Sequence, residues 1–222
     1  MAPKPFTVLN VKQGSPEWLQ ARSGVLTASR AYEAFRKTVK GEWRAERGNY
    51  RTELVLDRTT GIPSAPPKFV TRAMQNGVDR EAKAIRVYEN VHGIITRTVG
   101  FVLDNEFPIG CSPDAVVGDF EGLVQIKCPE AATHYETIAG QRSATKAAIP
   151  PEYVAQLRHE MFVTGADWID YVSYHPAFPV KVQLLTIRVL RDDLGLSEYA
   201  NDVKAFLAEV DAECEQIAEW AR

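Results

Sequence analysis

The sequence predicts an α/β fold, with helices laid over a central mixed β-sheet. Three observations carry that reading. Apolar residues recur at helical spacing over 68–90 and again from about Leu196 to the end. Short runs rich in Val, Ile, Leu and Phe, such as IITRTVGFVL and VKVQLLTIRVL, have strand character. From residue 68 onward the two kinds follow one another as helix, three strands, helix, two strands, helix. Such an order stacks helices on the faces of a sheet whose strands run both ways.

Taken in order, SPEWLQARSG reads as a short helix, with Ser15 as N-cap, Pro16 in its first turn and Gly24 just past its end. TASRAYEAFRK starts a second helix with Thr27 or Ser29 at its amino end. Residues 36–48 are polar and basic and read as a loop, a helix follows over about 49–60 up to Gly61, and GIPSAPP is a loop. Over 68–90, Val70, Met74, Val78, Ile85 and Tyr88 fall on one stripe, and Glu81 lies on the same stripe. After VHG, the runs IITRTVGFVL, FPIGCSPDAVV and GLVQIKCP read as strands. PPEYVAQLRHEMFVTG is a helix opened by Pro and closed by Gly, and WIDYVSYHP and VKVQLLTIRVL are two further strands. The last helix turns Tyr199, Val203, Phe206, Val210, Cys214 and Ile217 inward.

With 222 residues the chain suits one domain: a basic helical part over 1–67, a core over 68–191 and an amphipathic terminal helix over 192–222. Three cysteines with no close pair argue against a disulfide framework and for a reducing cytoplasm. No apolar run reaches membrane-spanning length and the opening segment lacks a signal-peptide core, so no membrane partner is expected. The four histidines show no metal-ligand spacing, which argues against zinc.

The net charge of −3 is unevenly spread. Residues 1–100 carry 17 Lys or Arg against 9 Asp or Glu, whereas 192–222 carry 2 against 9. A basic body with an acidic end leaves room for a nucleic-acid partner that whole-chain charge hides. The acidic end faces water or a partner, or packs as a final core helix.

The chemistry concentrates around CSPDAVVGDFEGLVQIKCP, residues 111–129. Alternation on a strand puts Gln125 and Lys127 on one face and Val124, Ile126 and Cys128 on the other. Asp114 ends the strand before, and a turn at GDFEG brings it back alongside, so Asp114, Gln125 and Lys127 can converge. The alternative is a polar strand face with a surface lysine. Glu81 on an inward stripe is costly unless it is paired or binds a metal, and Gln156 borders the inward stripe of its own helix. Oxygen ligands with a nearby lysine suit phosphodiester hydrolysis: they hold Mg²⁺ or Mn²⁺, while the lysine orients water and offsets transition-state charge. Ser29 in a first helical turn favours an anion, and Arg22 can grip one bidentately. Trp18 lies one turn before Arg22 on the same face. Arg36, Lys37, Lys40, Arg44, Arg47 and Arg51 are placed to guide a phosphate backbone, or are simply solvated.

Asp114 after Pro113, together with Lys127 two residues beyond position 125, looks like the PD-(D/E)XK nuclease superfamily. WLQARSGVLTASR, NGVDREAKAIRVYEN, GCSPDA, VQIKCP and YVAQLRHEMFVTG, in that order over about residues 14–175, resemble the phage lambda exonuclease family of YqaJ-like viral recombinases. The resemblance implies a restriction-endonuclease-like core and a processive 5′→3′ exonuclease on double-stranded DNA. It further implies Mg²⁺ or Mn²⁺, two ions per site, a homotrimeric ring, a 3′ single strand passed to an annealing protein, and a bacterial or phage-infected cytoplasm. By matching positions, Asp114, Gln125 and Lys127 form the catalytic centre, with Glu81 and Gln156 in support. Asp114, Gln125, Glu81 and the Ile126 carbonyl hold metal. The resemblance likewise implies that Arg22, Ser29 and Ser112 bind the 5′-phosphate and that Trp18 and Met74 meet the DNA end, a place in the core being the alternative for Trp18.

The chain departs from that family at Gln125, where the pattern has Glu. An amide keeps an oxygen but loses a full charge, which weakens a site for a hard cation. Three explanations stand: an engineered Glu-to-Gln change made to trap uncut DNA with metal, a natural variant that remains active, and a naturally inactive DNA-binding homologue. The rival functions are an endonuclease of the same superfamily and a non-catalytic DNA-end-binding recombination protein.

Overall fold

The computed structural model describes residues 4–64, 72–143 and 148–222, with side chains from residue 80 onward in the helix Arg72–His92. Met74, and the Val70 and Val78 positions of the predicted stripe, lie outside that description.

Strand β1 (Phe6–Leu9) leads to helix α1 (Pro16–Arg22). Ser15 Oγ accepts the Trp18 N–H at 3.2 Å as the predicted N-cap. Strand β2 (Leu26–Thr27) runs into a 3-10 turn (Ala28–Arg30) and then α2 (Ala31–Phe35). Thr27 makes no side-chain cap, so the predicted second helix opens as this tighter turn. Helix α3 (Ala45–Thr60) starts a turn earlier than its apolar pattern and stops at left-handed Gly61. Helix α4 (Arg72–His92) follows.

The three predicted strands after it are five: β3 (Thr96–Arg97), β4 (Phe101–Asp104), β5 (Ile109–Cys111), β6 (Ala115–Val117) and β7 (Gly122–Lys127). At Gly100 a Cβ would sit 2.2 Å from the Leu9 carbonyl oxygen, so only glycine lets the chain pass the end of β1. Pro113 has no N–H to continue a ladder, and the strand breaks between Cys111 and Ala115.

Helix α5 (Ala131–Gln141) was not expected. Helix α6 (Pro151–Thr164), closed by left-handed Gly165, matches its Pro-to-Gly prediction. Strand β8 (Trp168–Tyr174), the single turn α7 (Val180–Gln183), strand β9 (Leu184–Leu190), a 3-10 turn (Arg191–Leu194) and α8 (Leu196–Trp220) complete the chain.

The strands form two mixed sheets where one was predicted. One has the order β1-β4-β5-β2, the other β3-β6-β7-β8-β9. In the second sheet β7 and β8 run parallel, and the other neighbours are antiparallel. The break at Pro113 is thus the point where the chain leaves one sheet for the other.

The side chains of β7 sort to two cores as alternation requires. Val124 and Ile126 join Ala84 and Tyr88 of α4, whereas Leu123 joins the larger core with Leu157 and Met161 of α6 and Phe206 of α8. Acidic α8 lies along basic α3, with Arg47 Nη2 2.7 Å from Glu209, Arg51 Nε 2.6 Å from Glu213 and Arg58 Nη1 2.6 Å from Asp211. Much of the uneven charge is therefore answered inside the chain. No helix among the described residues is long and apolar enough to cross a membrane.

Candidate active site

The edge of the second sheet near Pro113 is reached from both faces, by α4 on one and by α6 on the other. Asp114 stands where β6 begins, and its Oδ2 accepts the Ile126 N–H of β7 at 2.6 Å and the Gln125 side-chain amide at 2.5 Å. Gln125 is 2% exposed. Two residues along β7, Lys127 Nζ donates to Gln156 Oε1 of α6 at 3.1 Å and lies 5.0 Å from the Tyr153 ring centre. Gln156 Nε2 in turn donates to Glu160 Oε1 at 2.9 Å.

Glu81 comes from α4. Two turns further along that helix, Tyr88 donates to buried Asp170 Oδ2 at 2.6 Å, and Arg188 holds Asp170 at 2.8 and 2.9 Å. This clamp ties α4 to β8 and β9 two turns from Glu81. Glu81 is hydrogen-bonded with Asp114, and its carboxyl is raised above the ordinary value by burial, with the Lys127 charge pulling the other way. Asp114 is held well above its ordinary value, first by burial and then by the Glu81 charge. Burial pushes Glu160 up to about 7.

A second group adjoins the first. Arg22 Nη2 of α1 donates to Ser29 Oγ at 3.0 Å, and its guanidinium carbon lies 4.0 Å from the Trp18 ring centre. Trp18 Nε1 donates to Ser112 Oγ at 3.0 Å. Burial lowers the Arg22 pKa from its ordinary value. Ser29 sits in the 3-10 turn rather than in the first turn of an α-helix. A 3-10 turn lacks the aligned dipole of an α-helix, so an anion there would be met chiefly by Arg22.

Both groups line one cavity of about 220 Å³. It is walled by Trp18, Arg22, Ser29 and Ser112 together with Glu81, Asp114, Gln125, Ile126, Lys127 and Gln156. Residues from six separate stretches of chain are thus brought together. Gln13 and Glu160 also line it and were not singled out in the sequence. The signal for Glu160 was present: it lies four residues after Gln156, one helical turn along the same face.

The cations of α3 require a correction. Arg47 is 4% exposed, paired with Glu209 and stacked between Trp43 and Phe206, so it is a core cation and not a guide for a DNA backbone. Arg51 is held by Glu209 and Glu213. Arg44 precedes the helix and is only partly exposed, and it does not line the cavity. A basic run and an acidic run distant in sequence gave no sign that they would pair.

The donor set is oxygen throughout: the Asp114 and Glu81 carboxylates, the Gln125 amide and the Ile126 carbonyl. Gln125 Oε1 is buried without a hydrogen-bond partner, which suits a hard cation in donor type. Among the described residues no three His, Cys, Asp or Glu side chains form a metal-holding group.

Residues 17–167 match the YqaJ-like viral recombinase domain. An alkaline exonuclease from Laribacter hongkongensis, LHK-Exo, is 37% identical over 93% of this chain and 98% of its own, with a TM-score of 0.77. The structure of LHK-Exo in complex with dAMP gives 37% identity over the same shares and a TM-score of 0.78. A phage-related exonuclease from Haemophilus somnus 129PT shares the fold at 17% identity, covering 89% of this chain and 96% of that one, with a TM-score of 0.63. No curated relative matches the chain.

Proposed function

The chain belongs to the YqaJ-like viral recombinase domain family, and from that premise we propose that it is a metal-dependent exonuclease acting on double-stranded DNA from a 5′-phosphorylated end, in the 5′→3′ direction. The observation that carries the reading is the shared cavity, where Arg22, Ser29 and Ser112 adjoin Asp114, Gln125 and Lys127. A pocket for a terminal phosphate next to a hydrolytic centre is what end-dependent cutting needs. The similarity to an alkaline exonuclease over nearly the whole chain supports it.

In this mechanism Arg22 and the hydroxyls of Ser29 and Ser112 hold the terminal phosphate, and Trp18 braces Arg22 through its ring. Asp114, Gln125, Glu81 and the Ile126 carbonyl would hold Mg²⁺ or Mn²⁺, one or two ions. When bound, the cation neutralises phosphate charge and acidifies the attacking water. Lys127, fixed by Gln156 Oε1, orients that water and offsets charge on the phosphoryl oxygens as the bond to the 3′ oxygen breaks. Breaking that bond leaves the phosphate on the remaining strand. Each cut therefore regenerates the end that Arg22 grips, which is a chemical basis for repeated cutting. By family membership we further propose a homotrimer that leaves a 3′ single strand for an annealing protein.

A second reading, a DNA-end-binding recombination protein that does not cut, has one observation in its favour. The Gln125 amide occupies the Asp114 oxygen that a cation would need. A time course with Mg²⁺ on 5′-phosphorylated linear duplex, beside its Gln125→Glu form and a covalently closed circle, separates the readings. Digestion of the linear form alone is expected, faster for Gln125→Glu. Cutting of the circle points to an endonuclease, and inertness of both chains on every substrate sinks the nuclease reading.

A further inference from the structure

The cavity contains an acid without a role in the mechanism above. Glu160 is fully buried on α6. Its Oε1 accepts from Gln156, while its Oε2 is buried with no hydrogen-bond partner. Among the described residues lining this cavity, one other buried side-chain atom shares that condition: Gln125 Oε1. A carboxylate oxygen kept from both water and donors is costly unless positive charge compensates it. Lys127, the nearby protein cation, directs its hydrogen bond to Gln156 instead. The negative charge of Glu160 is also felt at Asp114.

We propose that Glu160 is the acid that offsets Gln125: it supplies the negative charge that keeps a divalent cation at Asp114 although position 125 is an amide. This rests on the nuclease reading above. The charge count supports it. Asp114 and Glu81 against Lys127 and Arg22, the two cations lining the cavity, leave no net charge to meet a dication, and Glu160 supplies one negative charge. An acid at position 125 would add the same charge, so the two positions substitute for one another electrostatically. Glu160 also orients the Gln156 amide, turning its NH₂ inward and its oxygen toward Lys127.

Mn²⁺ binding to the full chain, measured by titration calorimetry at pH 8, tests this. The forms compared are the native chain, Glu160→Gln, Gln125→Glu and the double variant, with Asp114→Asn as the control for site-specific binding. Glu160→Gln keeps the size and the acceptor for Gln156, and unfolding in EDTA checks that each form is folded. Should it fail to fold, Glu160→Met carries the same comparison. Native binding is expected, weakened about 10- to 100-fold by Glu160→Gln, with most of that loss recovered in the double variant. Equal binding by the native chain and Glu160→Gln makes Glu160 a wall residue, and an equal loss in both backgrounds makes it a charge that does not stand in for position 125. Either outcome overturns the inference and leaves the nuclease reading standing. Binding by Gln125→Glu but not by the native chain does the same. If neither binds Mn²⁺, the metal-dependent reading fails and this inference with it.

Discussion

The Gln125 side-chain amide donates to Asp114 Oδ2 at 2.5 Å, and the Ile126 N–H donates to that same oxygen at 2.6 Å. Gln125 thus stabilises the site while it crowds it. Replacing it with Glu removes a donor and sets two carboxylates against each other. Gln125→Glu is expected to lose about 1–3 kcal/mol of stability in EDTA, to regain it on adding Mg²⁺, and to raise Mg²⁺-dependent digestion of linear duplex about 100-fold. Thermal melts with and without Mg²⁺, beside a digestion time course, check both halves. Equal digestion by the two forms would show that the amide is no handicap.

Arg22 is the charged group of the proposed phosphate grip. Arg22→Ala is expected to weaken binding of a 5′-phosphorylated end by about 1.5–3 kcal/mol, the worth of a charge-assisted hydrogen bond, and to leave a 5′-hydroxyl end unchanged. Arg22→Lys should recover only part, since a point charge lacks the planar fork. Competition binding with the two ends in a metal-free buffer measures this. Indifference of the native chain to the 5′ group rejects the pocket.

Arg47 makes a contrasting case, because Glu209 and two aromatic rings already hold it. Arg47→Ala is expected to lower stability by about 2 kcal/mol, through lost packing more than lost charge given the half-exposed Glu209. The slope of DNA affinity against salt, which counts phosphate contacts, should not change. A reduced slope would return Arg47 to the DNA interface.

Buried His159, hydrogen-bonded to Tyr199, has its pKa lowered by burial from 6.5 to about 3. Below pH 6.5 the unfolded chain takes up a proton that the folded chain refuses until about pH 3. Stability should therefore fall as the pH drops through this window, by about 5 kcal/mol from this group in full. Urea titrations between pH 7 and 4 should show a shallower acid loss in His159→Gln. A parallel pH dependence in the two forms would mean that the fold does not hold the His159 pKa down.

Sequence patterns foretold much of this architecture where local chemistry decides it. Ser15 and Pro16 open α1, Gly61 and Gly165 close their helices, and the period-two alternation of VQIK presents Gln125 and Lys127 to one side. What escaped depends on distant partners. IITRTVGFVL reads as one strand because nothing local reveals that Gly100 must slip past Leu9. Helix α5 has no side-chain cap at Glu130 and a mixed composition, so its start carries no mark. Glu160 was passed over amid the apolar residues of LRHEMFV. Arg47 read as a surface cation until α8 supplied its partner.

In the proposed mechanism Ser112 belongs to the phosphate grip and Asp114 to the hydrolytic centre, and only Pro113 stands between them. A trans peptide chain spans at most about 7 Å over two residues. If the chain anchors a DNA end and cuts beside it, its step length is therefore written in covalent bonds and owes nothing to a hinge. The Ser-Pro-Asp segment acts as a fixed ruler, and inserting one residue between positions 112 and 114 would shift where the cut falls relative to the end.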